Sequence, residues 1–111
     1  MILKFRAWDE KNEIITTDFT VGVENGILTF FSNDAEMRIL KPLKCTNILD
    51  KNGKEIFDGD ILHGSWFVTS DKREKSHIVK WENYGWDFGE FPSFVQIEII
   101  GNIYENPELL K

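Results

Sequence analysis

Thirteen residues constrain this chain more than any others: Asp50-Lys51-Asn52-Gly53-Lys54-Glu55-Ile56-Phe57-Asp58-Gly59-Asp60-Ile61-Leu62. They hold two turn signals and two strand starts. Asn52-Gly53 is a hairpin signal, because both residue types tolerate positive φ and a type I′ turn needs it twice. Glu55-Ile56-Phe57 follows as a short strand. Asp58-Gly59 marks a second turn or bulge, where Gly supplies the positive φ. Asp60 then leads into Ile61-Leu62. Short strands joined at sharp Gly corners are how small barrels turn their edges.

The oxygen donors Asp50, Asn52, Asp58 and Asp60 raise the question of a metal. A calcium loop of the EF-hand kind wants an acid or amide at position five, Gly at six and Glu at twelve. Those positions here hold Lys54, Glu55 and Ile61. A cation aimed at the ion opposes binding, and Asp, Asn and Gly are ordinary turn residues. No metal or cofactor is expected.

At 111 residues the chain makes one domain, or two subdomains sharing a core. Its fifteen aromatics and 41% hydrophobic residues supply the core material. The single Cys45 cannot form an intramolecular disulfide and reads as a small buried hydrophobe. Charges interrupt the start, Met1 to Trp8, where a signal peptide needs an apolar run. No apolar run approaches the roughly 18 residues of a transmembrane helix. A soluble cytoplasmic protein is expected, with no membrane partner. The net charge of −6 opposes nucleic-acid binding, which rests on phosphate neutralisation. The one basic cluster, Lys72-Arg73-Glu74-Lys75, reads as a solvated loop.

Along the chain, Leu3-Lys4-Phe5-Arg6-Ala7-Trp8 alternates, placing Leu3, Phe5 and Ala7 on one face. Asp9 to Asn12 is a turn into a strand at Ile14-Ile15. Glu24-Asn25-Gly26 is another turn, followed by a strand over Ile27–Phe31. Residues 34–40 allow a short helix capped by Asn33 or a returning strand over Met37–Leu40. The strand is preferred, because seven residues make a marginal helix. Pro42 ends that strand or confines it to an edge. Ile61 to Ser70 and His77 to Trp81 read as strands around the charged loop. Phe94 to Ile100 has the clearest alternation, with Val95, Ile97 and Ile99 on one side, and Gly101 bends it. Asn106-Pro107-Glu108 starts a one-turn C-terminal helix.

Three blocks carry a family likeness: Lys4-Phe5-Arg6-Ala7-Trp8-Asp9, Thr46 to Leu62, and Ile99 to Leu110. Together they span the chain, which resembles the YopX family of small proteins encoded by phages and prophages. Two positions depart from the family pattern: Asn47, where Gly is common, and Leu49, where a polar residue is usual. Asn can still reach the left-handed geometry that Gly implies. The resemblance implies a mainly β protein: N-terminal β-hairpins over 1–45 packed on an SH3-like small barrel over 46–111, the two able to form one compact unit. It implies no catalytic residues.

The residues themselves bring no catalytic pattern. His63 and His77 have no Cys or carboxylate at ligand spacing. The serines lie in no nucleophile elbow and the glycines in no phosphate loop. A non-enzymatic protein is expected. From Trp81 to Leu110 there is no Lys or Arg, and there are six acids. Within it, Tyr84, Trp86, Phe88, Phe91 and Phe94 are spaced by Gly and Pro. These aromatics either fill the core or, with Asp87, form a partner-binding surface: Tyr84, Trp86, Asp87, Phe88 and Phe91 are the candidate residues. Three roles compete: a β module binding a host or phage protein, a nucleic-acid-binding SH3-like barrel using Lys72, Arg73, Lys75 and Lys80 on one face, and self-assembly through exposed hairpin edges.

Overall fold

The computed structural model describes residues 4–82 and 85–110, which form eleven strands and one 3-10 turn. The strands are β1 (Phe5–Asp9), β2 (Ile14–Thr16), β3 (Phe19–Glu24), β4 (Ile27–Ser32), β5 (Ile39–Leu49), β6 (Glu55–Phe57), β7 (Asp60–Val68), β8 (Asp71–Ile78), β9 (Lys80–Glu82), β10 (Gly85–Asp87) and β11 (Glu98–Asn102). The chain is mainly β, as the sequence predicts. The first six strands form one sheet in the order β2-β1-β5-β4-β3, with β6 on the far end of β5. Two small sheets follow, β11-β7-β8 and β10-β9. The strands curl into a half-barrel. Among the described residues it does not spell out an SH3-like closure.

β5 is the strand on which everything else hangs. Its first part pairs with β4 and β1, and from Cys45 to Leu49 it pairs with β6. The boundary expected between residues 45 and 46 falls where β5 changes partners, so the two halves share a strand. Pro42 does not end β5, but it sits where β5 has a paired strand on one side only. Towards β1 it stands opposite Ala7, while Cys45 N–H donates to Lys4, so Ala7–Pro42 is a pair that exchanges no hydrogen bonds. Towards β4 the ladder runs Phe31–Ile39, Phe30–Leu40 and stops. Ser32 N–H donates to Arg38, so the next exchange in the same register would join Leu28 to Pro42. Proline has no N–H to give there. It ends the β4 ladder while β5 runs on.

The turn before β5 is a loop, and no helix forms over 34–40. Arg38 is pinned inside it by Asp9, by Asp34 at 2.6 Å and by Glu36 at 3.3 Å. The Arg38 guanidinium, hydrogen-bonded to Asp9, holds that carboxyl at about 2 against the burial that would raise it; Asn12 adds to the lowering.

The block from Asp50 to Leu62 works as a clasp. Asn52-Gly53 is not the expected type I′ turn, since only Gly53 has positive φ, at 79°. Gly53 N–H donates to Asp50 O, closing a type I turn with a left-handed Gly. The Asp50 carboxylate is buried and accepts from three backbone N–H groups: Asn52 and Lys54 at 2.9 Å, and Ile99 at 3.0 Å. Burial pushes its pKa up, but those donors win and hold it low. Lys51 N–H donates to Ile97 O at 2.9 Å, so the turn is tied to the last strand. Ten residues on, Asp60 is 1% exposed, accepts from Phe57 N–H at 2.7 Å and pairs with Arg6. Asn47 takes φ of 66°, the left-handed geometry expected where the family favours Gly.

Both faces of β1 are used, which explains its alternation. Phe5 and Ala7 face a core with Phe19, Phe30 and Leu40. Arg6 and Trp8 face the C-terminal half: the Arg6 guanidinium lies 4.3 Å from the Phe57 ring centre, and Trp8 meets Tyr104 at 5.5 Å. Leu3 lies outside the described residues. The second core is Ile56, Leu62 and Val79, with Trp86, Phe88, Ile97 and Ile99 packed on it.

Two further elements differ from expectation. Residues 71–75 are not a loop but the first half of β8, paired with Gly64 to Val68; the turn is Thr69-Ser70. The strand expected from Phe94 begins only at Glu98, because Val95 N–H donates to Pro92 O and turns the chain at Ser93-Phe94. Val95, Ile97 and Ile99 are still the inward side of that stretch. The register shifts between Ile99 and Gly101, the bend predicted there. The C-terminal turn, Pro107–Leu110, is 3-10, and the Asn106 side chain accepts from Asn102 N–H rather than capping it.

Candidate functional site

The aromatic stretch is the first place to look. Tyr84 lies outside the described residues. Trp86, on β10, and Phe88, just after it, are half-buried against Ile56, Leu62 and Val79, so core-filling is the reading that describes them. Trp86 also meets the edge of Trp81 at 5.3 Å. Asp87 accepts from Gly89 N–H at 2.9 Å, which is the main cause of its lowered pKa; the nearby His77 adds to it. His77 Nε2 lies 3.0 Å from Asp87 Oδ1 without forming an aligned hydrogen bond. Phe91 presses on Gly64: a Cβ there would lie 3.0 Å from its ring and 2.8 Å from Val95. Lys75 donates to Glu90 O at 3.0 Å and stands 5.7 Å from the Phe91 ring centre. The stretch from Trp86 to Phe91 is therefore held down, and Phe94, 72% exposed, is the free aromatic among the described residues of the loop.

The basic cluster does not assemble on one face. Side chains alternate along a strand, so Arg73 and Lys75 share a face of β8 while Lys72 and Glu74 share the other. Lys72 lies 3.6 Å from Glu74, and Lys80 lies 3.2 Å from Glu82. Each histidine has a carboxylate that spacing did not reveal: Glu74 at 3.6 Å from His63, and Asp87 beside His77. Neither pair gains a third ligand. Among the described residues no three His, Cys, Asp or Glu side chains could hold a metal ion. Cys45 is buried, burial raises its pKa, and its thiol lies 3.5 Å from Glu55.

Sequence reasoning reached the Asn25-Gly26 turn and the strand after it, but missed β3 and the apolar surface that the β3–β4 hairpin presents. Its six register pairs run without interruption from Phe19–Ser32 to Glu24–Ile27. Asn25 and Gly26 close it with φ of 52° and 78°, a type I′ turn. Val21 stands opposite Phe30 and Val23 opposite Leu28, so these side chains continue the face that carries Phe19 and Phe30. Phe19 and Phe30 are covered, with ring centres 5.0 Å apart. Val21, Val23 and Leu28 project past the core and are exposed, Val23 at 74% and Leu28 at 55%. The strict alternation from Phe19 to Glu24 is the signal that marks the strand.

The backbone of β3 is open as well. Because Ser32 N–H points towards β5, so do Phe30 and Leu28, and the alternate residues Phe31, Thr29 and Ile27 point towards β3. They exchange hydrogen bonds with Thr20, Gly22 and Glu24. Phe19, Val21 and Val23 therefore direct their N–H and C=O groups outward. β3 ends its sheet, and no strand pairs with that edge among the described residues.

Fold and surface together define a small mainly β protein, two cores joined through one strand, with an apolar hairpin left uncovered. The sequence profile of the family described as YopX protein matches residues 4–111, and the chain belongs to that family. It is similar in structure to protein EF1440 from Enterococcus faecalis, at 29% sequence identity and a TM-score of 0.63, over 100% of this chain and 99% of that one. No curated protein matches it.

Proposed function

We propose that the chain is a non-enzymatic accessory protein of phage or prophage origin, a β module that binds a host or phage protein in the bacterial cytoplasm. The observation that carries this reading is the β3–β4 hairpin, whose Val21, Val23 and Leu28 stand in solvent on the same face as the N-terminal core. Apolar side chains grouped on adjacent strands mark interaction surfaces more often than scattered ones do. Phe94 offers a second, smaller apolar contact on the loop that carries Asp87 and Phe91.

Capture from bacterial lysate tests it. The wild-type chain is compared with a Val23→Asp, Leu28→Asp double variant and with Phe94→Ser, each checked for folding. The partner is expected to be lost with the hairpin variant and retained in good part with the loop variant. Equal capture by all three folded proteins would end this reading.

A further inference from the structure

We infer that the outer edge of β3 takes up an extended, cation-flanked segment of a partner protein as an added strand. The inference rests on the binding-module reading and names the mode of binding. The N–H and C=O groups of Phe19, Val21 and Val23 offer three donors and three acceptors along one line. Strand addition satisfies all of them, and the backbone bonds supply affinity while side chains supply choice. Natural proteins blunt open edges with Lys, Pro or a bulge. Phe19–Glu24 contains no Lys and no Pro, and its register is unbroken.

The side chains specify the occupant. In an antiparallel strand centred opposite Val21, the central residue and those two places either side lie on the face of Phe19, Val21 and Val23. Apolar residues there extend the uncovered face. The residues three places either side stand opposite Asp18 and Glu24. Asp18, just before β3, accepts from the Asn33 side chain at 2.6 Å, neither acid is in an ion pair among the described residues, and no Lys or Arg occurs between Asn12 and Met37. Lys or Arg at both ends of the added segment would match them. A second copy fits poorly: antiparallel self-pairing centred on Val21 sets Asp18 against Glu24 at both ends.

The probe is a seven-residue blocked peptide with valine at the second, fourth and sixth positions, threonine at the third and fifth, and lysine at each end. Binding is followed by NMR on the full chain. The expected result is at least tenfold slower amide exchange at Phe19, Val21 and Val23 on saturation, and at least tenfold weaker binding when glutamate replaces both lysines. Val21→Pro removes an outward N–H and leaves the β4 ladder intact, so it should keep the native spectrum and lose the peptide. Val23→Lys, at a site that is already exposed, should weaken binding at least tenfold if the proline disturbs the strand. No binding at millimolar peptide, or protection of the three amides by raising the chain concentration alone, would overturn the inference. If the peptide fails while the lysate partner still depends on Val23 and Leu28, edge pairing falls and the binding-module reading stands.

Discussion

At the centre of the molecule two carboxylates, Asp50 and Asp60, are buried, while at one end three aliphatic side chains, Val21, Val23 and Leu28, stand in solvent. The two regions reverse the usual placement of polar and apolar groups, for different reasons. Asp50 is enclosed because three backbone donors replace the water it loses, while at Asp60 the Phe57 N–H and Arg6 offset burial only in part. They join the first strand, the clasp and the last strand, and their work is architectural. The hairpin aliphatics have no such compensation, because nothing described lies over them. One region holds the fold together and the other is spare to it.

If that division is right, mutations should separate the regions sharply. Asp60→Ala should have the largest effect. It leaves Arg6 and the Phe57 N–H without their acceptor and should cost about 3 kcal/mol in urea unfolding. A loss under about 1 kcal/mol would mean the junction does not hold the halves together. Gly59→Ala should come next. Its φ is 88° and a Cβ would lie 2.7 Å from the Tyr104 ring, so a loss of about 2 kcal/mol is expected in the same assay.

The acid limb should show a smaller effect. Asp9 is held at about 2, below its ordinary value of 3.8, so it adds stability that is complete above 3.8 and is lost as the pH falls towards 2. Asp60 acts in the opposite sense: burial raises its carboxyl pKa, so acidification favours the folded form at that site. Asp9→Asn should therefore flatten the fall in melting temperature between about pH 4 and 2. An unchanged acid limb would show that the Arg38 contact does not persist in solution. The smallest effect should be in the hairpin. Val23→Thr should change stability by less than about 0.5 kcal/mol, because Val23 is already exposed. A loss near 2 kcal/mol would mean that something covers it, and the contrast between the regions would fail.

Much of the architecture was legible because turn chemistry is local. Asn25-Gly26, Gly53, Gly59 and the bend at Gly101 each sit where the residue type implies a corner. What was not legible depended on partners far along the chain. Pro42 reads as a strand end until β1 is known to face it in a pair without hydrogen bonds. Asp71 to Lys75 reads as a loop because a charged strand looks like one until Gly64 to Val68 lies beside it. Phe94 to Ile97 has strand alternation, but the Pro92 turn takes its backbone elsewhere. The aromatics near Trp86 could be core or surface, and only the position of Val79 and Leu62 decides. The alternation of Phe19 to Glu24 was open to reading, yet nothing in it says that Val21 and Val23 outrun the core.

The most direct test of the open hairpin is residue-resolved amide hydrogen exchange on the free chain at low concentration. Thr20, Gly22 and Glu24 should be protected by β4, while Phe19, Val21 and Val23 should exchange at least tenfold faster. Uniform protection along all six would mean that the outer edge of β3 is already occupied, and would contradict the account.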